Sequence, residues 1–258
     1  MNIRYFSDLH LEFWKQLPPP EVFFPLYKDD VYIFAGDIHI GTAAISWFET
    51  FADKVGHIFY VLGNHEYYHQ DFKTLPQQVK TAIRYSKADN ISLLEAAHYP
   101  SVVVIDEVEF TGSTVWTNYG EDPYKEAAIS GLLSDFKLIK NYSIAQVKEQ
   151  YYAAKSAIID FLSDGSRRKK VVISHHSPSF ELAWKSKAYS IGPITGAFHS
   201  TILDDVSVQI SPAAWFYGHT HENLTLDTLG GTKVLTNQYG YANYNTVAGF
   251  DEDAVFQI

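Results

Sequence analysis

Short apolar runs rich in β-branched and aromatic residues alternate with longer segments whose apolar residues recur every three to four positions. The first pattern predicts buried strands and the second predicts amphipathic helices. The predicted strands are Ile3–Phe6, Val31–Ala35, Ile58–Leu62, Ile91–Leu94, Ser101–Ile105, Val108–Thr111, Val171–Ser174, Ala213–Tyr217, Leu224–Leu229, Lys233–Thr236 and Asp251–Ile258. The predicted helices are Thr42–Val55, Thr74–Lys87 and Tyr142–Leu162. Strands that alternate with helices in this way indicate an α/β fold.

Glycine, proline and charged residues mark the predicted loops. Gly112 is expected to end the strand before it. The Gly230-Gly231 turn is expected to join Leu224–Leu229 and Lys233–Thr236 into a hairpin. The basic cluster Arg167–Lys170 is expected in a solvated loop. Ser179–Val208 contains glycine and proline signals and predicts a partly helical excursion that could act as a lid over 179–208. No linker divides the chain, so we expect one domain over 1–258.

Composition narrows the classes of function. The chain has 258 residues and a net charge of −10, which disfavours binding to long nucleic acid and to anionic membranes. No apolar run approaches the length of a membrane span, and the start of the chain lacks a secretory signal, so we expect a cytoplasmic protein. The absence of cysteine excludes disulfides and thiolate metal sites, which leaves His, Asp, Asn and Glu as metal ligands.

Polar clusters follow five of the predicted strands. They are Asp8/His10, Asp37, Asn64/His65, His175/His176 and His219/His221. Ligands of open α/β sheets bind outside the carboxyl ends of the strands, so these clusters are expected to meet. A single polar cluster needs no explanation beyond a solvated loop. Five clusters composed almost wholly of His, Asp and Asn predict a metal centre.

The last cluster, Gly218-His219-Thr220-His221, directly follows a predicted strand. Continued strand geometry would point the side chains of His219 and His221 the same way, and Gly218 would let the backbone approach a ligand closely. A pair of histidines two residues apart is a weak indicator by itself. It gains weight because the other clusters supply partners.

The number of candidate ligands indicates two metal ions rather than one. The seven candidates are Asp8, His10, Asp37, Asn64, His175, His219 and His221. One ion rarely takes so many protein ligands, whereas two ions that share one carboxylate take four each. Nitrogen and carboxylate ligands without thiolate fit Mn, Fe, Zn, Co or Ni, with Mn favoured, and disfavour Mg and Ca.

The same residues carry a resemblance to a known family. The segments Asp8-Leu9-His10, Gly36-Asp37, Gly63-Asn64-His65-Glu66, His175 and Gly218-His219-Thr220-His221 resemble the five ordered motifs of the calcineurin-like metallophosphoesterases. Trp116–Tyr119 and Ser134–Phe136 resemble, more weakly, segments of uncharacterised bacterial members. The resemblance implies a four-layer α/β/β/α sandwich of two mixed β-sheets flanked by helices, with the metals at the strand ends.

The resemblance also implies how the ligands divide between the metals. Asp8, His10 and His221 would hold the first ion, and Asn64, His175 and His219 would hold the second. Asp37 would bridge the two. His176 is the alternative to His175 at the family position.

The implied activity is hydrolysis of a small phosphomonoester or phosphodiester, with nucleotide-derived esters among the candidates, by in-line attack of a metal-bridging hydroxide. By resemblance, His65 does not bind metal but faces the substrate as a general acid. The alternative for His65 is a structural histidine behind the ligands. A nuclease of the same superfamily and a non-catalytic scaffold with this fold are the alternative functions.

One position departs from the family pattern. Many members have a second Asp three residues after the bridging Asp, where it orients the catalytic histidine, but Ile40 occupies that position here. Either another group, such as Glu66 or a backbone carbonyl, orients His65, or the protonation of His65 is tuned differently. His39 is either a loop histidine, a group behind the ligands or a substrate contact.

Aromatic residues in loops are the remaining candidates for substrate contacts. They are Tyr67, Tyr68, Trp116, Tyr119, Trp184, Phe198 and Tyr241, of which Trp116 is a weak substrate-binding candidate together with His39. Aromatic rings can stack on a nucleobase, but they more commonly fill a core. The sequence contains no defensible substrate-selecting motif.

Overall fold

The computed structural model of the chain describes residues 1–99, 101–119, 122–186, 192, 194–242 and 245–258. The strands are β1 (Asn2–Phe6), β2 (Val31–Ala35), β3 (His57–Val61), β4 (Ile91–Leu93), β5 (Val103–Ile105), β6 (Val108–Ser113), β7 (Lys169–Ser174), β8 (Ala214–Tyr217), β9 (Leu226–Asp227), β10 (Lys233–Thr236), β11 (Gly240–Tyr241), β12 (Asn245–Thr246) and β13 (Val255–Gln257). The helices are α1 (Ala43–Phe48), α2 (Leu75–Tyr85), α3 (Pro123–Leu132), α4 (Asp135–Leu138), α5 (Ile144–Ser163) and α6 (Phe180–Lys185).

Two mixed sheets form the centre of the molecule. The first has the order β13-β1-β2-β3-β4, and the second has the order β5-β6-β7-β8-β10-β9. β1 to β4 run parallel to one another, as do β6, β7, β8 and β10. β5, β9 and β13 pair antiparallel at the sheet edges, and the β9–β10 pair confirms the predicted hairpin.

The sheets pack face to face through β-branched and aromatic side chains. Ile33 and Val61 of the first sheet share a buried cluster with Ile173 and Phe216 of the second. The outer face of the first sheet is covered by α1 and α2. Trp47 of α1 contributes to the aromatic-rich core between them and the sheet. The outer face of the second sheet is covered by α5. This arrangement confirms the predicted four layers.

Three local predictions were wrong. Gly112 does not end a strand but lies inside β6, where a Cβ atom would come within 2.5 Å of the Ile173 carbonyl oxygen. The helix predicted over Thr42–Val55 ends at Phe48 and resumes only as a short 3-10 turn at Ala52–Lys54. Lys169 and Lys170 belong to β7, and the buried Lys170 ammonium donates to backbone carbonyls of α5 instead of facing solvent.

The predicted excursion over 179–208 contains α6 and short 3-10 turns at Thr195–Ala197 and Val208–Ile210. Residues 187–191 and 193, which fall within this excursion, lie outside the described residues. The lid hypothesis therefore stays a prediction. Among the described helices, none combines the length and the apolar character that a membrane crossing requires.

Candidate metal centre

The predicted polar clusters converge where the carboxyl ends of β1, β2, β3, β7 and β8 meet. Sharp turns directly after these strands aim the side chains inward. Five candidate ligands have positive backbone φ angles, namely Asp8 (55°), His10 (46°), Asp37 (54°), His219 (73°) and His221 (49°). This left-handed conformation costs a non-glycine residue about 1–2 kcal/mol, and such costs concentrate at functional sites.

A first group of ligand atoms comes from Asp8, His10 and His221, all of which lie within 4.8 Å of one another. The Nε2 atoms of His10 and His221 are 3.0 Å apart, and His221 Nε2 is 3.4 Å from Asp8 Oδ1. Burial would raise the pKa of Asp8, but the hydrogen bond from His221 and the charges of His221 and His175 together lower the pKa. The carboxylate is therefore ionised and faces two imidazole nitrogens.

A second group comes from Asp37, His175 and His219, again within 4.8 Å of one another. His175 Nε2 lies 3.3 Å from Asp37 Oδ1 and 3.1 Å from the amide oxygen of Asn64. His219 and His221 thus enter different groups. The prediction that their side chains point the same way was wrong, because β8 ends at Tyr217 and left-handed turns separate the two rings.

Asp37 lies between the groups. Its Oδ1 atom faces His175, and its Oδ2 atom is 3.8 Å from His10 Nε2. The carboxyl group is buried, which would raise its pKa, but His175 and His65 hold the pKa well below the usual range. One ionised carboxylate can therefore contact both ligand groups.

The donor atoms fit divalent transition metals. Ligand atoms held about 2.1 Å from one ion lie roughly 3.0–3.5 Å from each other. The separations of 3.0, 3.3 and 3.4 Å within the two groups, and of 3.1 Å between His175 and Asn64, lie in that range. The donors are imidazole nitrogens, carboxylates and one amide oxygen, which suit Mn, Fe, Zn, Co or Ni. The buried negative charge of Asp8 and Asp37 also favours a cation.

Gly63 allows the strand ends to come this close. A Cβ atom on Gly63 would lie 2.1 Å from Asp37 Oδ1, 2.4 Å from Asp37 N and 2.8 Å from His175 Cε1. No side chain fits in that space. The glycine before Asn64 is therefore required for close approach of the β2 and β3 turns.

His175 and His176 have different surroundings. His175 donates from Nδ1 to the Ala35 carbonyl at 2.8 Å, which fixes its tautomer and leaves Nε2 facing Asp37. His176 turns its Nδ1 to the Thr114 carbonyl, and its ring packs on Trp116 and His219. Burial lowers the pKa of His176 to about 3, so this ring is neutral.

His65 contacts a carboxylate that the sequence did not single out. Its Nδ1 atom is 2.9 Å from Oε1 of Glu12, and its Nε2 atom is 4.0 Å from Asp37 Oδ2. Burial alone would lower the pKa of His65, but the negative charges of Asp37 and Glu12 have the larger combined effect and raise the pKa to about 9. Burial would also raise the pKa of Glu12, but hydrogen bonds from His10 and His65 lower it to about 2.

Glu66 was one of the groups considered for orienting His65, and its hydrogen bonds exclude that alternative. Its carboxylate instead accepts hydrogen bonds from the backbone N–H groups of Asp37, Ile38 and Gly63 and from the Tyr60 hydroxyl, at 2.7–2.9 Å. Glu66 therefore fixes the turns after β2 and β3. Glu66 has a structural role in the Gly63-Asn64-His65-Glu66 motif, because the buried N–H groups at the strand ends need an acceptor inside the protein.

A second unpredicted carboxylate holds Asn64. Oδ1 of the buried Asp135 accepts from the Asn64 amide at 3.0 Å and from the Tyr68 hydroxyl at 2.9 Å. The amide nitrogen of Asn64 is thereby directed to Asp135, and its oxygen is directed to His175. The Ser134–Phe136 segment was noted in the sequence only as a weak family resemblance.

A cavity of about 250 Å³ opens on the centre between Asp37, Asn64, His65, His219 and His221. Its other walls are Tyr68, Leu132, Leu133, Ser134, Asp135, Phe198 and Tyr241. Of the aromatic candidates from the sequence, Tyr68, Phe198 and Tyr241 therefore line the site.

The remaining candidates lie elsewhere. Trp116 is buried in the aromatic core against Tyr67 and Phe72, and Tyr119 is buried as well. Trp184 is largely exposed. His39 accepts through Nδ1 from the N–H of Ile40, which follows it, as a loop histidine does.

Two mixed sheets in four layers, with convergent His, Asp and Asn side chains at their shared edge, define the metallophosphoesterase class of fold. A model of the calcineurin-like phosphoesterase family matches residues 1–223, and the chain belongs to that family. It is a metal-dependent phosphoric ester hydrolase. The family implies a dimetal centre, for which the two ligand groups are the candidates.

Two similar proteins extend this comparison. An uncharacterized protein of Acanthamoeba polyphaga mimivirus is 29% identical over 282 aligned residues, which cover 97% of this chain and 96% of the relative. The crystal structure of the phosphopantetheinyl hydrolase from Mycobacterium tuberculosis superposes with a TM-score of 0.73 at 16% identity. That match covers 93% of this chain and 89% of the hydrolase. At this identity, the second similarity shows the fold alone.

Proposed function

We propose that the chain hydrolyses a small phosphomonoester or phosphodiester in line, at a centre of two divalent metal ions. Asp8, His10 and His221 would hold the first ion, Asn64, His175 and His219 would hold the second, and Asp37 would bridge them. The observation that carries the proposal is that Asp37 faces His10 through one oxygen and His175 through the other. We propose Mn as the favoured metal.

Each residue has a task in this scheme. Two bound ions supply a nucleophile from water at neutral pH and offset the charge of the phosphoryl group. Asp8 and Asp37 contribute negative charge that holds the ions, and Asn64 contributes a neutral oxygen that keeps the pair more positive. Asp135 accepts a hydrogen bond from the Asn64 amide nitrogen, so that the amide oxygen faces the site.

His65 is the proposed general acid. It lines the cavity next to Asn64, and the contact of its Nδ1 atom with Glu12 leaves its Nε2 atom at the cavity wall, facing Asp37. From there it can protonate the leaving oxygen or hydrogen-bond the phosphoryl group. Catalysis of this kind typically contributes about 10²–10⁴-fold.

The cavity favours a small ester over long nucleic acid. Among the described residues that line it, none is Lys or Arg, and Asp135 adds a carboxyl group to the wall. The net charge of −10 acts in the same direction at long range. A nuclease of the same superfamily is the alternative function. Phosphopantetheinyl esters are added to the substrates to screen because of the structural neighbour.

We also propose a cytoplasmic location, a single domain over 1–258 and a lid at 179–208.

The test is hydrolysis of p-nitrophenyl phosphate and bis-p-nitrophenyl phosphate after chelation and reloading with Mn²⁺. Wild type should regain activity, whereas Asp37→Ala and Asn64→Ala should not. His65→Ala should keep its metal and lose about 10²–10⁴-fold in kcat. A non-catalytic scaffold would be indicated if wild-type protein with two bound ions hydrolysed no ester. Activity that is equal in His65→Ala and wild type would contradict the acid role.

A further inference from the structure

Glu12 occupies an unusual position between two histidines of different proposed roles. It lies in the 3-10 turn Leu11–Phe13 that directly follows His10, and its side chain is 7% exposed. The same oxygen, Oε1, is 3.2 Å from Nδ1 of His10 and 2.9 Å from Nδ1 of His65. A single carboxylate oxygen therefore joins the turn after β1 to the turn after β3.

These contacts fix the far side of both rings. A carboxylate that accepts from Nδ1–H sets the tautomer and the orientation of an imidazole, so that Nε2 is presented opposite. For His10, Nε2 faces His221 Nε2 at 3.0 Å. For His65, Nε2 faces Asp37 Oδ2 at 4.0 Å, at the wall of the cavity. Without the acceptor, the His65 ring could rotate away from that wall.

Other nearby groups do not supply the same contact. Both carboxylate oxygens of Glu66 already accept hydrogen bonds, from backbone N–H groups and from the Tyr60 hydroxyl. Tyr68 and His10 pack on the His65 ring with centroid separations of 4.2 and 4.4 Å, which restrains its plane but provides no acceptor for Nδ1. Among the described residues, Glu12 is the carboxylate that accepts a hydrogen bond from Nδ1 of His65.

We propose that Glu12 is the positioning residue of His65 and holds the Nε2 proton of that ring toward the leaving oxygen. The inference rests on the proposed function, since it assigns Glu12 a role through the general acid. It predicts that the chemical step, rather than substrate binding, depends on Glu12. It also predicts that the dependence disappears when His65 is absent.

The experiment compares Glu12→Ala, Glu12→Gln, His65→Ala and the double variant Glu12→Ala/His65→Ala at saturating Mn²⁺. The exposed Glu21, which pairs with the equally exposed Lys54, provides the matched control Glu21→Ala. The substrates are p-nitrophenyl phosphate, whose leaving group needs little protonation, and phenyl phosphate, whose leaving group needs more. Bound Mn is measured for each variant.

Glu12→Ala should lower kcat by about 10–100-fold, as for other residues that orient a site histidine, with KM changed less than about twofold. The loss should be larger for phenyl phosphate than for p-nitrophenyl phosphate. Glu12→Gln, whose amide oxygen can still accept from both rings, should recover much of the rate. In the His65→Ala background, Glu12→Ala should cost less than about twofold.

Three results would overturn the inference. They are equal kcat for Glu12→Ala and Glu21→Ala, an undiminished loss in the His65→Ala background, and a loss of bound Mn that accounts for the lost rate. The last would mean that Glu12 acts through His10. If Glu12→Ala fails to fold, Glu12→Leu, whose side chain fills similar space but offers no acceptor, replaces it in each comparison. A wild type without Mn-dependent hydrolysis would overturn the proposed function itself, so the two failures are distinct.

Discussion

Gly63→Ala should both destabilise the protein and empty its metal centre. The new Cβ atom would lie 2.1 Å from Asp37 Oδ1 and 2.4 Å from Asp37 N, where non-bonded atoms normally keep well over 3 Å. Something must therefore move by about 1 Å. Either the Asp37 carboxylate rotates and loses its 2.8 Å bond from His65 N, or the turns separate and stretch the bonds to Glu66.

Overpacking costs about 1–3 kcal/mol, and a lost hydrogen bond to a charged group costs about 1.5–3 kcal/mol. The sum of about 3–5 kcal/mol corresponds to a fall in Tm on the order of 10 °C for a chain of this size. The matched control is Gly131→Ala in α3, where a Cβ atom would meet nothing within 4 Å. That helical substitution should stabilise by up to about 0.5–1 kcal/mol.

The assay is thermal unfolding by circular dichroism, together with bound-metal analysis after dialysis against Mn²⁺. Gly63→Ala should melt early and bind little metal, and Gly131→Ala should melt at or above the wild-type temperature with full metal content. A Gly63→Ala protein with wild-type Tm and two bound ions would refute the close-approach argument. Parallel losses in both variants would instead indicate a general sensitivity to alanine.

Three further predictions concern buried carboxylates and the metals. Glu66→Gln should cost about 2–4 kcal/mol in urea unfolding, because its NH₂ group would face backbone donors such as Gly63 N that need an acceptor; an unfolding free energy equal to wild type would contradict this. Burial raises the pKa of Glu95 from 4.5 to about 7, so the protonated form favours folding, and its contribution is present at low pH and lost as pH rises through 7. Between pH 5 and 8, the unfolding free energy of wild type should therefore fall by up to about 3 kcal/mol more than that of Glu95→Gln, and parallel pH curves would exclude the effect. Chelation should lower the wild-type Tm, and Mn²⁺ should restore it because it binds the native state; Asp37→Ala should show no such Mn²⁺ response.

The sequence predicted where the candidate ligands converge, because polar clusters at strand ends are a local signal. Apolar runs mark β1, β2, β3, β7 and β8, and parallel strands bring their carboxyl ends to one edge. The helices α3 and α4 were not predicted. α3 buries only Ile129 of its ten residues, so it lacks the periodic apolar face on which helix prediction depends.

The sequence could not predict contacts between residues that are far apart in the chain. Glu12 is 53 residues from His65, and Asp135 is 71 residues from Asn64, and nothing in either local pattern points to its partner. The directions of His219 and His221 were mispredicted because strand alternation was extended past Tyr217, where the backbone turns left-handed. A carboxylate two residues after His10 was the one available signal for Glu12.

The left-handed backbone of the site has a consequence for how such a protein could evolve. Asp8, His10, Asp37, His219 and His221 all adopt a conformation that glycine adopts without cost. Selection for stability alone would replace them with glycine, and only the need for their side chains opposes it. A lineage that abandoned hydrolysis should therefore accumulate glycine at these positions first.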